Sequence, residues 1–266
     1  MSLPAPSRTS YALVTGASQG IGKAMAHDFA AMGYNVILVA RRGEILEDMA
    51  TELERRHHVE ASALPADLAT DEGVEVVIDA ISSKEVSILV NSAGIASFGS
   101  FMDQDWGYES SQFALNGTAV HRLTRAALEH MLPRRTGAIC NVGSTAGNIP
   151  IPNNATYVFT KAGVNAFTEA LHYELKGSGI SCTLLAPGPV REATIPEEDQ
   201  TIVDKVVPDA LWTTYESCSK ETIAAMQKGQ RRVVPGPLSK AMNAVSKVLP
   251  TPVIAPLIGR FYSQMG

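Results

Sequence analysis

The chain has 266 residues, 45% of them hydrophobic and 18% charged, and a formal net charge of −5. That length carries one large α/β domain or two small ones, and the acidic balance excludes a general electrostatic attraction to nucleic acid. Cys140, Cys182 and Cys218 stand far apart, with no Cys-x-x-Cys pair and no histidine at metal-ligand spacing. Neither a disulfide framework nor a metal site is indicated, and a reducing cytoplasm is the expected setting.

The opening MSLPAPSRTS lacks an apolar core, so no signal peptide is expected. From Tyr11 onward, short apolar runs recur, each followed by a longer helical pattern: YALVT, NVILVA, EASALPA, SILVN, GAICNV, ISCTLLA and RRVVP. Strands that alternate with helices pair in parallel through crossovers, which predicts a doubly wound, Rossmann-type seven-stranded sheet with helices on both faces. Gly33 closes the helix begun near Gly20, and Thr70, followed by Asp71 and Glu72, reads as a helix cap. Long helices are expected at about 105–131 and 155–176. Residues 1–236 read as the folded domain, with an acidic, proline-punctuated loop at about 189–215 that covers a site. Residues 237–266 read as a basic, apolar helical extension. His57 and His58 close a charged helix as surface residues, while Trp106 and Trp212 are candidates for a substrate cleft, Trp212 the better of the two.

In TGASQGIG, residues 15–22, Gly16, Gly20 and Gly22 let the backbone turn tightly and approach a pyrophosphate at a helix N-terminus. The second strand ends in VARR, residues 39–42, with no carboxylate for a ribose 2′-hydroxyl. Arg41 and Arg42 suit a 2′-phosphate instead, so NADP(H) is expected rather than NAD. Asp67, after the third strand, can accept from an adenine amino group with Leu68 against the ring. Asn91 and Gly94 follow the fourth strand and Ser144 the fifth, all at the carboxyl edge of the sheet. Tyr157 and Lys161, at i and i+4, share a helix face on which the cation favours the phenolate.

These motifs occur in order: T-G-x-x-x-G-x-G, Asn-x-Ala-Gly (Asn91 to Gly94), Asn116, Ser144, Tyr-x-x-x-Lys, and Pro187 with Gly188. From Tyr11 to about Gly236 the chain therefore resembles the short-chain dehydrogenases/reductases. The resemblance implies that Tyr157 protonates a carbonyl oxygen while hydride passes from a nicotinamide to the carbonyl carbon. It further implies that Lys161 lowers the Tyr157 pKa and binds the nicotinamide ribose, that Ser144 hydrogen-bonds the carbonyl, and that Asn116 holds a water linking Lys161 to solvent. Cofactor contacts are implied for Gly16, Ser18, Gln19, Gly20, Ile21 and Gly22 in the loop, and for Arg41, Arg42, Asp67 and Leu68 beyond it. Further along, they are implied for Asn91, Ala93, Gly94, Tyr157, Lys161, Pro187, Gly188 and Val190. Two positions depart from the family pattern. Gln19 stands where NADP users often carry a basic residue, and Glu192 stands where many relatives have Thr, with Thr194 two places on.

The segments LAPGPVRE, VDKVVPDALW, RRVVPGPLSKAM and APLIGRFY resemble the 3-oxo-mycolate reductases of mycolic-acid-producing actinobacteria. That likeness implies reduction of the 3-oxo group of a 2-alkyl-3-oxo long-chain lipid, a step in mycolic acid and cell-envelope synthesis. Another bulky ketone, such as a steroid or a 3-oxoacyl thioester, is the second reading, and a non-enzymatic NADP-binding sensor the third. In the extension Leu238, Met242, Val245 and Leu249 fall at helical spacing with Lys240 and Lys247 off that face. From Arg231 to the end there are five basic residues and no acid. Four roles stay open for this tail: capping the sheet, packing on a second subunit, touching an anionic face such as the inner plasma membrane, or sheltering an acyl chain. Pro250, Pro252 and Pro256 interrupt its apolar end, so no membrane span is expected. The family resemblance suggests a homo-oligomer, a dimer or tetramer, through the two long helices.

Overall fold

Residues 3–192, 212–248 and 256 are described in the computed structural model of the chain, apart from the side chains of residues 242 and 245–248. The expected apolar runs form β1 (Ser10–Thr15), β2 (Asn35–Ala40), β3 (Ala61–Pro65), β4 (Glu85–Asn91), β5 (Gly137–Val142) and β6 (Ile180–Leu185). Later come the short strands β7 (Val190–Arg191), β8 (Thr213–Thr214) and β9 (Arg232–Val233). The main sheet is seven-stranded and parallel, in the order β3-β2-β1-β4-β5-β6-β9. The strand order reverses direction between β1 and β4, and the crevice beyond their carboxyl ends is where this topology places a ligand.

Successive strand residues point to opposite faces, and both faces are covered. Ala12 and Val14 join one core with Met25 and Phe29 of α1 (Gly20–Ala31) and Leu46 and Leu53 of α2 (Gly43–His57). Leu13 joins the other with Val74 and Val77 of α3 (Asp71–Ser83). Each of these side chains other than Ala12 stabilises the fold by roughly 1.5–3 kcal/mol relative to exposure. Thr70 caps α3 as its sequence suggests, Oγ1 accepting from Gly73 N at 3.1 Å, and Gly33 lies just beyond α1 with φ +88°.

The long helix expected from about residue 105 is instead α4 (Trp106–Phe113) and α5 (Val120–Arg134), joined by a π-helical turn at Ala114–Ala119. The wider turn changes the angular phase of the side chains that follow, which periodicity of 3.6 does not anticipate. The second long helix is α6 (Ala155–Glu174). Among the described residues α7 (Tyr215–Gln227) and α8 (Pro237–Val248) complete the helices.

The insertion is held at its base. β7 and β8 pair in parallel, Val190 with Thr213 and Arg191 with Thr214, and the Arg191 guanidinium lies 4.9 Å from the centre of the Trp212 ring. Residues 193–211 of the expected 189–215 loop, Thr194 included, lie outside the described residues. So do Leu249, Arg260 and the side chains of Met242, Val245 and Lys247. Among the described residues three of the tail's five cations meet acids within the fold: Arg231 and Arg232 share Glu169 at 3.2 and 3.6 Å, and Lys240 reaches Glu221 at 2.8 Å. Its excess of cations is thus a poorer signal for an outside anionic surface than composition suggests, because tertiary folding supplies partners the local sequence lacks. No helix among the described residues is long and apolar enough to cross a membrane.

Candidate active site

At the carboxyl edge of the sheet the first strand is tied to the fourth. Thr15 Oγ1 accepts from Ser92 N and Ala93 N at 3.0 and 3.1 Å. The loop that follows lies directly on this segment: a β carbon at Gly16 would stand 2.9 Å from Ala93 Cα, and one at Gly22 only 2.4 Å from the Gly16 carbonyl oxygen. Backbone packing this tight admits no side chain at either position. Gln19 precedes α1 without capping it by its side chain, and the first turn has no acid, so the leading amides face outward without intrahelical partners.

Above the loop is a cavity of about 430 Å³. Gly16, Ser18, Gln19, Gly20 and Ile21 form one wall; Arg41, Arg42, Asp67 and Leu68 form a second; Ala93 and Gly94 lie along a third. Arg42 is braced across it, its Nη2 donating to Ser18 Oγ at 2.9 Å and to Gln19 Oε1 at 2.6 Å. Gln19, the departure from a basic residue, thus serves to orient the guanidinium of Arg42, the residue just before α2. Asp67 Oδ1 accepts from Ala69 N at 3.0 Å.

Not every expected contact faces this cavity. Gly22 acts through loop packing. The Asn91 side chain is buried within the sheet layer, donating to Asn141 Oδ1 at 2.9 Å and Thr124 Oγ1 at 3.1 Å. Gly188 lies against Ser239 of α8, and Val190 packs on the core. The Pro187 carbonyl accepts from Thr145 N at 2.9 Å and so holds the turn after Ser144.

The catalytic candidates converge beside Gly94. A β carbon there would lie 3.1 Å from Asn116 Oδ1 and 3.5 Å from Lys161 Nζ. Asn116 sits in the π-helical turn, fully buried, and clamps Ile95 from both sides: Oδ1 accepts from Ile95 N at 3.0 Å and Nδ2 donates to Ile95 O at 2.8 Å. Lys161 Nζ donates to Val142 O at 2.8 Å and lies 5.7 Å from the centre of the Tyr157 ring. Burial lowers the Lys161 pKa from its ordinary range to about 8. Ser144 Oγ, which accepts from Ala146 N at 3.1 Å, stands beside the Tyr157 phenol. Burial raises the Tyr157 pKa, and the neighbouring Ser144 hydroxyl offsets part of that rise. The direction is opposite to the lowering expected from the lysine neighbour, because desolvation of the phenol is the larger effect, and the phenol keeps its proton.

Two site residues, Asn165 and Tyr215, escaped motif reading, and a third, Thr15, stood in the loop motif with no role assigned to it. Asn165, one helical turn beyond Lys161, fixes Ser144 by accepting from its N at 3.3 Å and donating to its O at 2.8 Å. Its i+4 spacing from Lys161 was the available signal. Thr15 is the hinge between β1 and β4. Tyr215 of α7 lines the cavity beside the glycine loop from nearly two hundred residues away, beyond the reach of any local pattern. Trp106, one of the two tryptophans considered for a cleft, is 73% exposed at the start of α4. Trp212 stands instead at the base of the insertion, under Arg191.

The family model for the short chain dehydrogenases matches residues 10–201. A very-long-chain 3-oxoacyl-CoA reductase-like protein of Arabidopsis thaliana is 33% identical over 231 residues, which are 84% of this chain and 72% of that protein. Among solved structures, a 7β-hydroxysteroid dehydrogenase superposes with a TM-score of 0.88 at 25% identity, covering 97% of this chain and 100% of its own. A short-chain dehydrogenase from Sphingobium yanoikuyae in complex with NADPH gives 0.76 at 27% identity, covering 91% and 96%. The chain belongs to the short-chain dehydrogenase family of oxidoreductases.

Proposed function

We propose that this oxidoreductase uses NADPH to reduce the 3-oxo group of a 2-alkyl-3-oxo long-chain lipid, a mycolic acid precursor, to the secondary alcohol. The observation that carries the reaction class is the convergence of Tyr157, its neighbour Ser144 and buried Lys161, whose Nζ lies 5.7 Å from the Tyr157 ring centre, at the Gly94 end of a cavity suited to a dinucleotide. The cavity fits that cofactor: the glycine loop, tightly packed at Gly16 and Gly22, and the bare α1 N-terminus suit the diphosphate, and Arg42, held over the loop, suits a 2′-phosphate. When bound, NADPH supplies the hydride for the carbonyl carbon.

The chain's own residues supply the rest. Tyr157 gives its proton to the carbonyl oxygen as negative charge develops there, and Ser144 donates a second hydrogen bond to the same oxygen. Lys161 orients the ribose and stabilises the phenolate left behind; with a pKa near 8 it is mostly cationic at neutral pH. Asn116 holds the Ile95 segment as one wall and fixes the path by which Lys161 recovers a proton through water.

The lipid assignment is supported by the segments shared with the 3-oxo-mycolate reductases and by likeness to a very-long-chain 3-oxoacyl-CoA reductase-like protein. A bulky cyclic ketone is the second reading, favoured by the likeness to a hydroxysteroid dehydrogenase over nearly the whole chain. We assign residues 1–236 to the cofactor and catalytic domain and 237–266 to an extension whose first helix borders the site, since Asn148, in the turn after Ser144, donates to Asn243 at 3.3 Å. The buried, unpaired cysteines suit a reducing cytoplasm. A homo-oligomer is supported by an exposed aromatic stack, Phe113 on Phe159 with ring centres 5.3 Å apart.

The test is NADPH oxidation with a 2-alkyl-3-oxo long-chain ester, beside NADH, beside a steroid ketone, and beside Tyr157→Phe. Turnover with NADPH that exceeds NADH and falls by about 10²–10⁴ in the variant is expected. Turnover confined to the steroid would replace the lipid reading with the second one.

A further inference from the structure

The dinucleotide cavity has one aromatic wall that the family motifs leave unassigned. Tyr215, the first residue of α7, lines it. The ring atoms nearest the loop are Cε1 and Cζ, which would stand 3.7 and 3.8 Å from a β carbon at Gly20. Cζ carries the hydroxyl, so the polar edge of the ring lies over the residue where the glycine loop, at φ +60°, becomes α1. The leading amides of α1 open at the same point.

The ring's placement is fixed from its own helix. Thr214 caps α7, its Oγ1 accepting from Ser217 N at 3.1 Å, and Ser219 Oγ donates to Asp28 Oδ2 of α1 at 2.7 Å, which locks the two helices together. Among the described residues the Tyr215 hydroxyl makes no hydrogen bond. Burial, reinforced by the carboxylates of Glu192 and Glu216, pushes its pKa up, so the group keeps its proton at neutral pH and stands as a donor. A half-buried neutral donor beside open amides matches a phosphate oxygen.

We propose that Tyr215 is a further cofactor-binding residue whose hydroxyl donates to the diphosphate of the bound dinucleotide alongside the glycine-loop amides. The assignment rests on the dinucleotide reading above. It also gives the insertion a physical link to the cofactor, because Tyr215 follows directly on β8, the strand that closes the insertion's base.

Titration of protein fluorescence with NADPH, and separately with adenosine 2′-monophosphate, tests it on the wild type and on Tyr215→Phe. The phenylalanine keeps the ring and its packing and removes only the donor. NADPH should bind the variant about tenfold more weakly, while adenosine 2′-monophosphate, which has no diphosphate, binds both proteins alike and the melting temperature without ligand is unchanged. An NADPH Kd within about twofold of wild type overturns the assignment, as does equal weakening of both ligands. A wild type that binds neither ligand overturns the dinucleotide reading itself.

Discussion

Lys161 is nearly fully buried, and the cost of that burial is visible in its pKa of about 8. Below about pH 8 the folded protein carries a buried cation that the unfolded chain would solvate freely. Between about 8 and the ordinary 10.5 the folded state has released this proton while the unfolded state still holds it, so stability from this group rises with pH across that window. Lys161→Met removes the dependence. The wild type minus variant difference in unfolding free energy should therefore move in favour of the wild type, by on the order of 2–3 kcal/mol, as pH rises from about 7 to 10. Urea unfolding at a series of pH values measures it, and a flat difference would contradict the burial account. Loss of the Val142 hydrogen bond offsets the two curves without changing their slope. The same desolvation leaves Tyr157 protonated in the free protein, the state a proton donor needs.

Whole elements, in turn, are set by a few boundary residues. Thr70 holds the start of α3, and among the described residues its side chain makes the cap to Gly73 and a bond to the Asp67 carbonyl. Thr70→Ala should cost about 1 kcal/mol. In a domain of this size that lowers the melting temperature by about 2–4 °C, with turnover at saturating cofactor unchanged. Calorimetry beside a rate assay checks both halves. The π-helical turn at Ala114–Ala119 is the opposite case, because no cap or proline announces it. It exists where Asn116 must face Ile95 and Gly94 rather than follow the phase of α4. α4 also reverses the usual pattern: Glu109 and Gln112 are buried, Gln112 against Ser97, while Trp106 and Phe113 face outward. Buried polarity there braces the segment after β4, and the apolar outer face is left for another surface.

For the molecule as a whole, that outer face predicts its assembly. The Phe113–Phe159 stack is exposed on both rings, and Phe159 is 63% exposed on the helix that carries Tyr157. Light scattering should give an oligomer for the wild type and a smaller species for Phe159→Glu, with the far-ultraviolet spectrum unchanged; a monomeric wild type would remove the basis for assembly through these helices. The sequence by itself determined the parallel seven-stranded sheet and the candidate residues of the site, because apolar strand runs and the loop, Ser, Tyr and Lys spacings are local properties that one stretch of chain specifies. Tertiary structure alone decided that Arg42 is braced by Ser18 and Gln19, that Asn91 turns into the sheet rather than the cavity, and that Arg231, Arg232 and Lys240 meet Glu169 and Glu221. It also decided that Tyr215 meets Gly20. Each of those outcomes joins residues distant in the chain, and the energy of such a contact depends on packing geometry and desolvation that no short pattern encodes.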